Sequence, residues 1–353
     1  MTADLVCLIR KQYELYLLLQ IQDMVKLLYQ NEFGPGHMVA AEADSYQRLQ
    51  AECSDLNPRS SMPAFEDIGN GLCRLHLAAV KDGGISLTTV NRFFVNTANS
   101  ITGNVGNFEK KLAVFVRCCH EQLLPFSEAE AAAWIEAYRR QGYPAVSHSD
   151  IFRETYSPSY RVVKTVFRDY FPLFCSLDRL LQTKDQVIVA IDGHCGGGKS
   201  SLANLLQKTY DCNVFHMDDF FLPAAMKTKE RMQEPGGNIH YERFYQEVLA
   251  QVSKNRPFRY RPFNCASQSP EAEIAVTPKQ LNIIEGAYSL HPVLADAYDL
   301  KVFLEIGQEE QSQRILKRNG PAMHKRFISQ WIPLENRYFQ ALKIKEQCDL
   351  VFA

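Results

Sequence analysis

The residues with the clearest chemical meaning follow a short apolar run. Residues 187–201 read VIVAIDGHCGGGKSS. Gly193, four further residues, then Gly198, Lys199 and Ser200 give the spacing G-x-x-x-x-G-K-S, that of a phosphate-binding P-loop. Glycines here, with Gly196 and Gly197 between, let backbone N–H groups turn inward around phosphate oxygens. A helix starting directly afterwards adds positive potential at the same place. Lys199 can reach β and γ phosphates, and the Ser200 hydroxyl can ligate Mg²⁺, with Ser201 next to it in the phosphate-binding set. The expected ligands of the loop are therefore the phosphates of a nucleoside triphosphate and Mg²⁺.

Two elements must hold that loop. Val187, Ile188, Val189 and Ile191 form a β-branched run that reads as a buried strand, and SLANLLQKTY reads as the helix. Beyond them strands and helices alternate: NVFHM at 213–217, a helix at 241–255, LNIIEG at 281–286, LKVFLEI at 300–306 and CDLVF at 348–352. RPFRYRPF and EIAVTP read as an antiparallel excursion, and helices are expected at 308–318 and about 322–346. Such alternation predicts a P-loop NTPase-type, doubly wound parallel sheet in an α/β fold. Its ligand sits beyond the carboxyl ends of the strands. Three strand ends then converge: the P-loop, Asp218 with Asp219, and Glu285. An acid at such a place can bind Mg²⁺ directly or through water, or can accept the proton of an attacking hydroxyl.

The first half reads differently. Helices are expected over Asp4–Gln30 and about 37–52, 64–81, 86–99, 106–123 and 127–140, with no strand. In the last of these Ser127 is the N-cap and Glu130 completes a capping box. The reading is an all-α accessory domain over 1–180 and the P-loop domain over 181–353. Two loops stand out. Asn31–Met38 is a helix stop made by Gly34, Pro35 and Gly36, or a substrate or partner loop using Glu32 and His37. Residues 143–161 carry His148, Ser149, Arg153, Tyr156, Tyr160 and Arg161, and serve as a linker or a functional loop.

Whole-chain properties set limits. A length of 353 residues suits two domains, and a net charge of −1 favours neither nucleic acid nor a membrane surface. Ten cysteines without a C-x-x-C argue against a zinc site or a disulfide framework. No basic segment precedes the first apolar residues, and no apolar run is long enough to span a bilayer, so a cytoplasmic protein is the expectation, with a homodimer as a candidate assembly.

The second half resembles the uridine kinase, phosphoribulokinase and pantothenate kinase group of P-loop small-molecule kinases. The pieces VIVAIDGHCGGGKSS, VFHMDDFF, NIHYERF, YRPFN, NIIEGAYSL, YDLKVFLEI and QRILKRNG fall in that group's order. The resemblance implies an ATP-dependent kinase acting on a hydroxyl of a nucleoside-like or anionic small molecule. It implies Asp218 as catalytic base, Glu285 beside Mg²⁺, and Arg314 and Arg318 as a cationic lid with Lys199 beneath. Asp219, His240 and Tyr241 fall on the acceptor side, although His240, Tyr241 and Glu242 stand where uridine kinases carry an acidic, proline-containing run. Arg259 and Arg261 face one way on a strand and suit an anion clamp that uridine kinases lack. The alternative is a nucleotide-switched ATPase regulator with the first domain as effector. No N-K-x-D guanine motif accompanies it.

Overall fold

A computed structural model describes residues 2–36, 41–56 and 63–353. The chain forms two compact units, Met1–Asp178 and Arg179–Ala353. Among the described residues no helix is long and apolar enough to cross a membrane.

The first unit is mixed, not all-α. Helices α1 (Thr2–Leu15), α2 (Ile21–Phe33) and α3 (Glu42–Asp55) precede strands β1 (Phe65–Gly69) and β2 (Leu72–His76). Then come α4 (Leu77–Asp82), α5 (Leu87–Ala98), α6 (Val105–His120), α7 (Glu128–Arg140), α8 (Asp150–Tyr156), β3 (Tyr160–Lys164), α9 (Thr165–Asp169) and α10 (Phe171–Thr183). The three strands form one antiparallel sheet in the order β1-β2-β3.

The expected helix over 64–81 is thus a hairpin followed by one short helix. Ile68, Leu72 and Leu75 are all buried, and their spacing suits a helix as well as it suits this sheet. Backbone chemistry decides. Asn70 and Gly71 link Gly69 to Leu72 with φ of 55° and 70°, the two-residue loop whose positive φ matches strand twist. The continuous helix expected from Asp4 to Gln30 also breaks, at 16–20. The Asp23 carboxylate accepts from the Gln20 N–H at 2.9 Å and starts α2 afresh. Of the two highlighted loops, His37 lies outside the described residues. Glu32 is buried, with Lys111 Nζ at 2.6 Å and the Asn104 N–H at 2.9 Å, so it ties helix ends together.

The sheet carries a buried polar network. Arg74 is only 2% exposed; it donates to Glu66 at 2.7 Å, to Gln12 at 3.2 Å and to Gln30 at 2.9 and 3.2 Å. Glu66 also accepts from Gln12 Nε2 at 3.0 Å and Tyr16 at 2.6 Å. Burial alone would raise its carboxyl; the Arg74 guanidinium and these hydrogen bonds hold it well below the carboxylate range. Asp23 meets His148 Nδ1 at 2.8 Å, and the Tyr160 hydroxyl meets His148 Nε2 at 2.7 Å.

Burial pushes His148 down from 6.5 to about 4. The unfolded chain therefore takes up a proton below pH 6.5 that the native unit refuses until about pH 4, and stability falls as pH falls through that window. At about 1.4 kcal/mol per pKa unit the loss approaches ~3 kcal/mol by its lower end. Urea titrations of the full chain from pH 7 to 4.5 are expected to show an acid-sensitive transition. In His148→Gln that transition should lose part of its slope; an unchanged slope would place the proton elsewhere.

In the second unit β4 (Val187–Gly193) leads into α11 (Lys199–Thr209), then β5 (Cys212–His216) and the short helices α12 (Lys229–Gln233) and α13 (Tyr241–Phe244). A π-turn over Tyr245–Leu249 carries α13 into α14 (Ala250–Val252). Two small hairpins follow: β6 (Phe258–Tyr260) pairs antiparallel with β9 (Ile274–Val276), enclosing β7 (Phe263–Asn264) and β8 (Ser269–Pro270). After them come β10 (Leu281–Glu285), α15 (Pro292–Ala295), β11 (Leu300–Leu304), α16 (Gln308–Arg326, broken at Gly320), α17 (Ile332–Ala341) and β12 (Leu350–Phe352). The main sheet is five-stranded and wholly parallel, ordered β12-β11-β4-β10-β5. Strands β4 and β10 are buried at every residue, as parallel strands covered on both faces must be. This is the α/β P-loop architecture.

Candidate functional site

Register builds the site. Parallel pairing sets Glu285 of β10 level with Ile191 of β4 and His216 of β5, so three strand ends finish at one edge. Past Ile191 the chain enters the phosphate loop. Past His216 it makes one 3₁₀ turn, Met217–Phe220, which carries Asp218 and Asp219.

The loop can exist only with glycine at its first position. Gly193 has φ of 137°, and a Cβ there would lie 2.1 Å from the Leu304 carbonyl oxygen. Gly193→Ala should destabilise the second unit by about 3 kcal/mol or more, read by urea denaturation. Gly196 (φ 77°) and Gly198 (φ 97°) also need glycine's freedom, and Gly197 packs against the His194 and Leu304 carbonyls. Gly198 is the residue from which α11 starts, so Lys199, Ser200 and Ser201 occupy its first turn. Lys199 Nζ donates to the carbonyls of Gly193 at 2.7 Å and His194 at 3.0 Å, lying across the loop that would cradle phosphate.

The acids gather next to it. Ser200 Oγ is 3.1 Å from both Glu285 oxygens, and Glu285 Oε1 is 2.5 Å from His216 Nδ1. Asp218 is exposed. The protein packed around it raises its carboxyl above 3.8; Lys199, His216 and Arg318 pull the other way, and Glu285 adds to the rise. Asp218, Lys199, Glu285 and Arg318 therefore share one electrostatic neighbourhood. Asp219 faces the Tyr260 hydroxyl, 3.5 Å away on β6.

Both candidate lid arginines sit on α16 and are exposed. Arg314 donates to the Gly196 carbonyl at 3.2 Å and pairs with Glu310 at 2.5 Å. Arg318 donates to Asn319 Oδ1 at 2.8 Å, with the Phe327 ring centre 6.0 Å from its guanidinium.

The remaining sequence candidates lie among different neighbours. Arg259 and Arg261 share one carboxylate, Glu273, at 3.6 and 2.9 Å across the small hairpin. Between them Tyr260 points to the opposite side and reaches Asp219. His240 caps α13, its Nδ1 accepting from the Arg243 N–H at 3.4 Å. Tyr241 is sandwiched: Arg231 lies 4.0 Å above its ring and His291 stacks on it at 4.1 Å. The Arg243 guanidinium covers Phe220 at 4.7 Å, bringing a cation to the turn that carries Asp218.

Two buried acids escaped the sequence reading. Asp192, fully buried, accepts from the N–H groups of Gly193 (2.7 Å), Tyr288 (3.2 Å) and Leu290 (3.0 Å) and from the Tyr338 hydroxyl (2.9 Å). One carboxylate thus ties the phosphate loop, the turn after β10 and α17. Glu335 on α17 accepts from the Cys195 N–H at 2.9 Å, while Gln311 donates to the Cys195 carbonyl at 2.9 Å. The only sequence hint was an aspartate ending an otherwise apolar strand.

Oxygen donors on Ser200 and Glu285 suit a hard dication. Among the described residues no three or more His, Cys, Asp or Glu side chains are grouped to hold a metal ion. A sparse protein donor set is what Mg²⁺ takes when phosphate and water oxygens complete its shell, so the residues present fit it.

Comparison with known proteins adds the following. No family model matches the chain. Human nicotinamide riboside kinase 2 is 31% identical over 141 residues, covering 38% of this chain and 58% of the relative. Among solved structures, a possible uridine kinase from Bacillus stearothermophilus is 20% identical with a TM-score of 0.41, covering 53% of this chain and all of that one. A putative fructose transport system kinase from Silicibacter sp. TM1040 is 24% identical with a TM-score of 0.39, covering 49% of this chain and 92% of that one. The chain thus spans less than two thirds of the length of the kinase relative it matches, and the P-loop pieces along Arg179–Ala353 resemble those of uridine kinase-like P-loop kinases.

Proposed function

We propose that this chain is an ATP-dependent kinase that phosphorylates a hydroxyl of a small, nucleoside-like molecule. The observation that carries the reading is the parallel register: it delivers the phosphate loop, Glu285 and the Asp218 turn to one edge. Inward N–H groups of the loop and Lys199 would hold the β and γ phosphates. Ser200 and Glu285 would hold Mg²⁺, which when bound neutralises phosphate charge. Asp218 would take the proton of the acceptor hydroxyl as its oxygen bonds to the γ phosphorus and the bond to the β-phosphate oxygen breaks, releasing ADP. Arg314 and Arg318 would cover the charge spread over the moving phosphoryl group. Electrostatic stabilisation of this kind is most of what a protein can contribute to such a step. Asp192 and Glu335 would act through others, fixing the loop.

The acceptor side supports a nucleoside over an anionic metabolite. Arg259 and Arg261, the anion clamp expected from the sequence, are engaged with Glu273. The curated relative is by name a riboside kinase. Near Asp218 stand Tyr260, Asp219 and Arg243, groups suited to a hydroxyl-rich ring. The test is ADP release from ATP and Mg²⁺ with a panel of nucleosides, nicotinamide riboside included, set beside sugar acids and vitamin-like alcohols. Turnover strictly dependent on one nucleoside is expected. Acceptor-independent hydrolysis would instead favour a nucleotide-switched regulator.

A further inference from the structure

His216 closes β5 within hydrogen-bond reach of the carboxylate placed beside Mg²⁺, and about half of its side chain is exposed. We propose that His216 is a positioning residue for Glu285. Its Nδ1–H fixes that carboxylate, and through it sets how far Mg²⁺ tightens the binding of a nucleoside triphosphate, a role that rests on reading the second unit as an Mg²⁺-dependent kinase.

Strand register brings the pair together. β5 runs parallel to β10 with His216 level with Glu285. Side chains alternate along a strand. Phe215, one residue earlier, turns into the core, its ring 6.1 Å from Phe258 and 5.9 Å from Tyr260. His216 therefore faces the opposite side of the sheet, where Ser200 in the first turn of α11 also meets Glu285.

The two contacts on Glu285 do different things. Ser200 Oγ lies 3.1 Å from each carboxylate oxygen. A contact so even does not choose a rotation for the carboxylate, and the last torsion of a glutamate is soft. His216 Nδ1 lies 2.5 Å from Oε1 and so breaks the symmetry. An ionised carboxylate can only accept, so Nδ1 carries a proton. A short N–H bond to an ionised oxygen is among the stronger hydrogen bonds, and it holds Oε1 in place. Losing such a partner behind a metal-binding side chain typically costs about 10–100-fold in metal affinity.

The strand end does not need this bond to fold. Backbone pairing holds β5 to β10 from Cys212 to His216, and Glu285 is buried whichever way its carboxylate turns. Removing the imidazole from its half-exposed position takes away orientation, not core.

The test is calorimetry of the full chain with β,γ-imido-ATP, in EDTA and across a Mg²⁺ series. The readout is the factor by which Mg²⁺ tightens binding of the analogue. In His216→Ala that factor should fall by about tenfold or more, with affinity in EDTA unchanged. His216→Asn, whose amide can place an N–H near the position of Nδ1, should restore most of it. In a Glu285→Gln background His216→Ala should add little, because the two residues act through one group. The inference is overturned if His216→Ala keeps the wild-type factor, if it weakens binding equally in EDTA, if His216→Asn restores nothing, or if its loss is as large in the Glu285→Gln background. A wild-type chain that does not bind the analogue, or gains nothing from Mg²⁺, would overturn the kinase reading itself and the role of His216 with it, a result seen before any variant is made.

Discussion

Lys199→Ala should reduce turnover by about 10³-fold or more and weaken ATP binding in parallel. The lysine's ammonium lies on the loop itself, on the carbonyls of Gly193 and His194. With ATP present those carbonyls are poor competitors for the ammonium against a triphosphate, because charge-assisted bonds to phosphate are stronger than neutral ones. Removing it takes away ground-state and transition-state attraction together, so both KM for ATP and kcat move. Steady-state kinetics with the identified acceptor, and calorimetry with a non-hydrolysable ATP analogue, read the two separately. A variant that binds the analogue normally would show that Lys199 does not grip the phosphates.

Asp218→Asn should separate those quantities. The amide keeps the shape of the carboxylate but cannot take a proton, so phosphoryl transfer falls by about 10²–10⁴-fold while ATP binding stays near normal. Asp218 lies two residues past the end of β5, in the 3₁₀ turn rather than on the phosphate loop. Removing one negative charge near Lys199 and Glu285 would, if anything, help an anionic nucleotide bind. Near-normal turnover in Asp218→Asn would rule it out as base and turn attention to Asp219, which faces Tyr260.

Nearly all of the second unit was legible in the sequence, for physical reasons that are local. A short, continuous β-branched run ending in glycine reads as a strand buried on both faces, and glycines at 193, 196 and 198 answer to positive φ values on the spot. Alternation of such runs with helices forces a parallel sheet, and a parallel sheet puts acids that end strands at one edge. Asp218 and Glu285 could be named from strand ends without knowing which strands are neighbours.

The first unit was misread because its decisive pairings are long-range. β3 pairs with β2 across more than eighty residues of sequence, and YRVVK alone is too short to declare a strand. Ile68, Leu72 and Leu75 fit a helical stripe equally well, so the turn at Asn70-Gly71, with its positive φ values, is the deciding signal. Arg74 lies in the stretch expected to be helical; on a strand partnered by β1 and β3 it is buried among Glu66, Gln12 and Gln30.

The sequence by itself determined that a nucleotide's phosphates have a loop to sit in, which acids could stand near them, and the fold that brings those together. These follow from backbone freedom and hydrophobic period, which each segment carries alone. Tertiary structure decided the rest: that Asp192 and Glu335 brace the loop from within, that Arg259 and Arg261 answer to Glu273, and that the first unit buries Arg74 against Glu66. Those depend on which buried charge finds which partner, and a partner distant in sequence is set by the whole packing, not by any window of the chain.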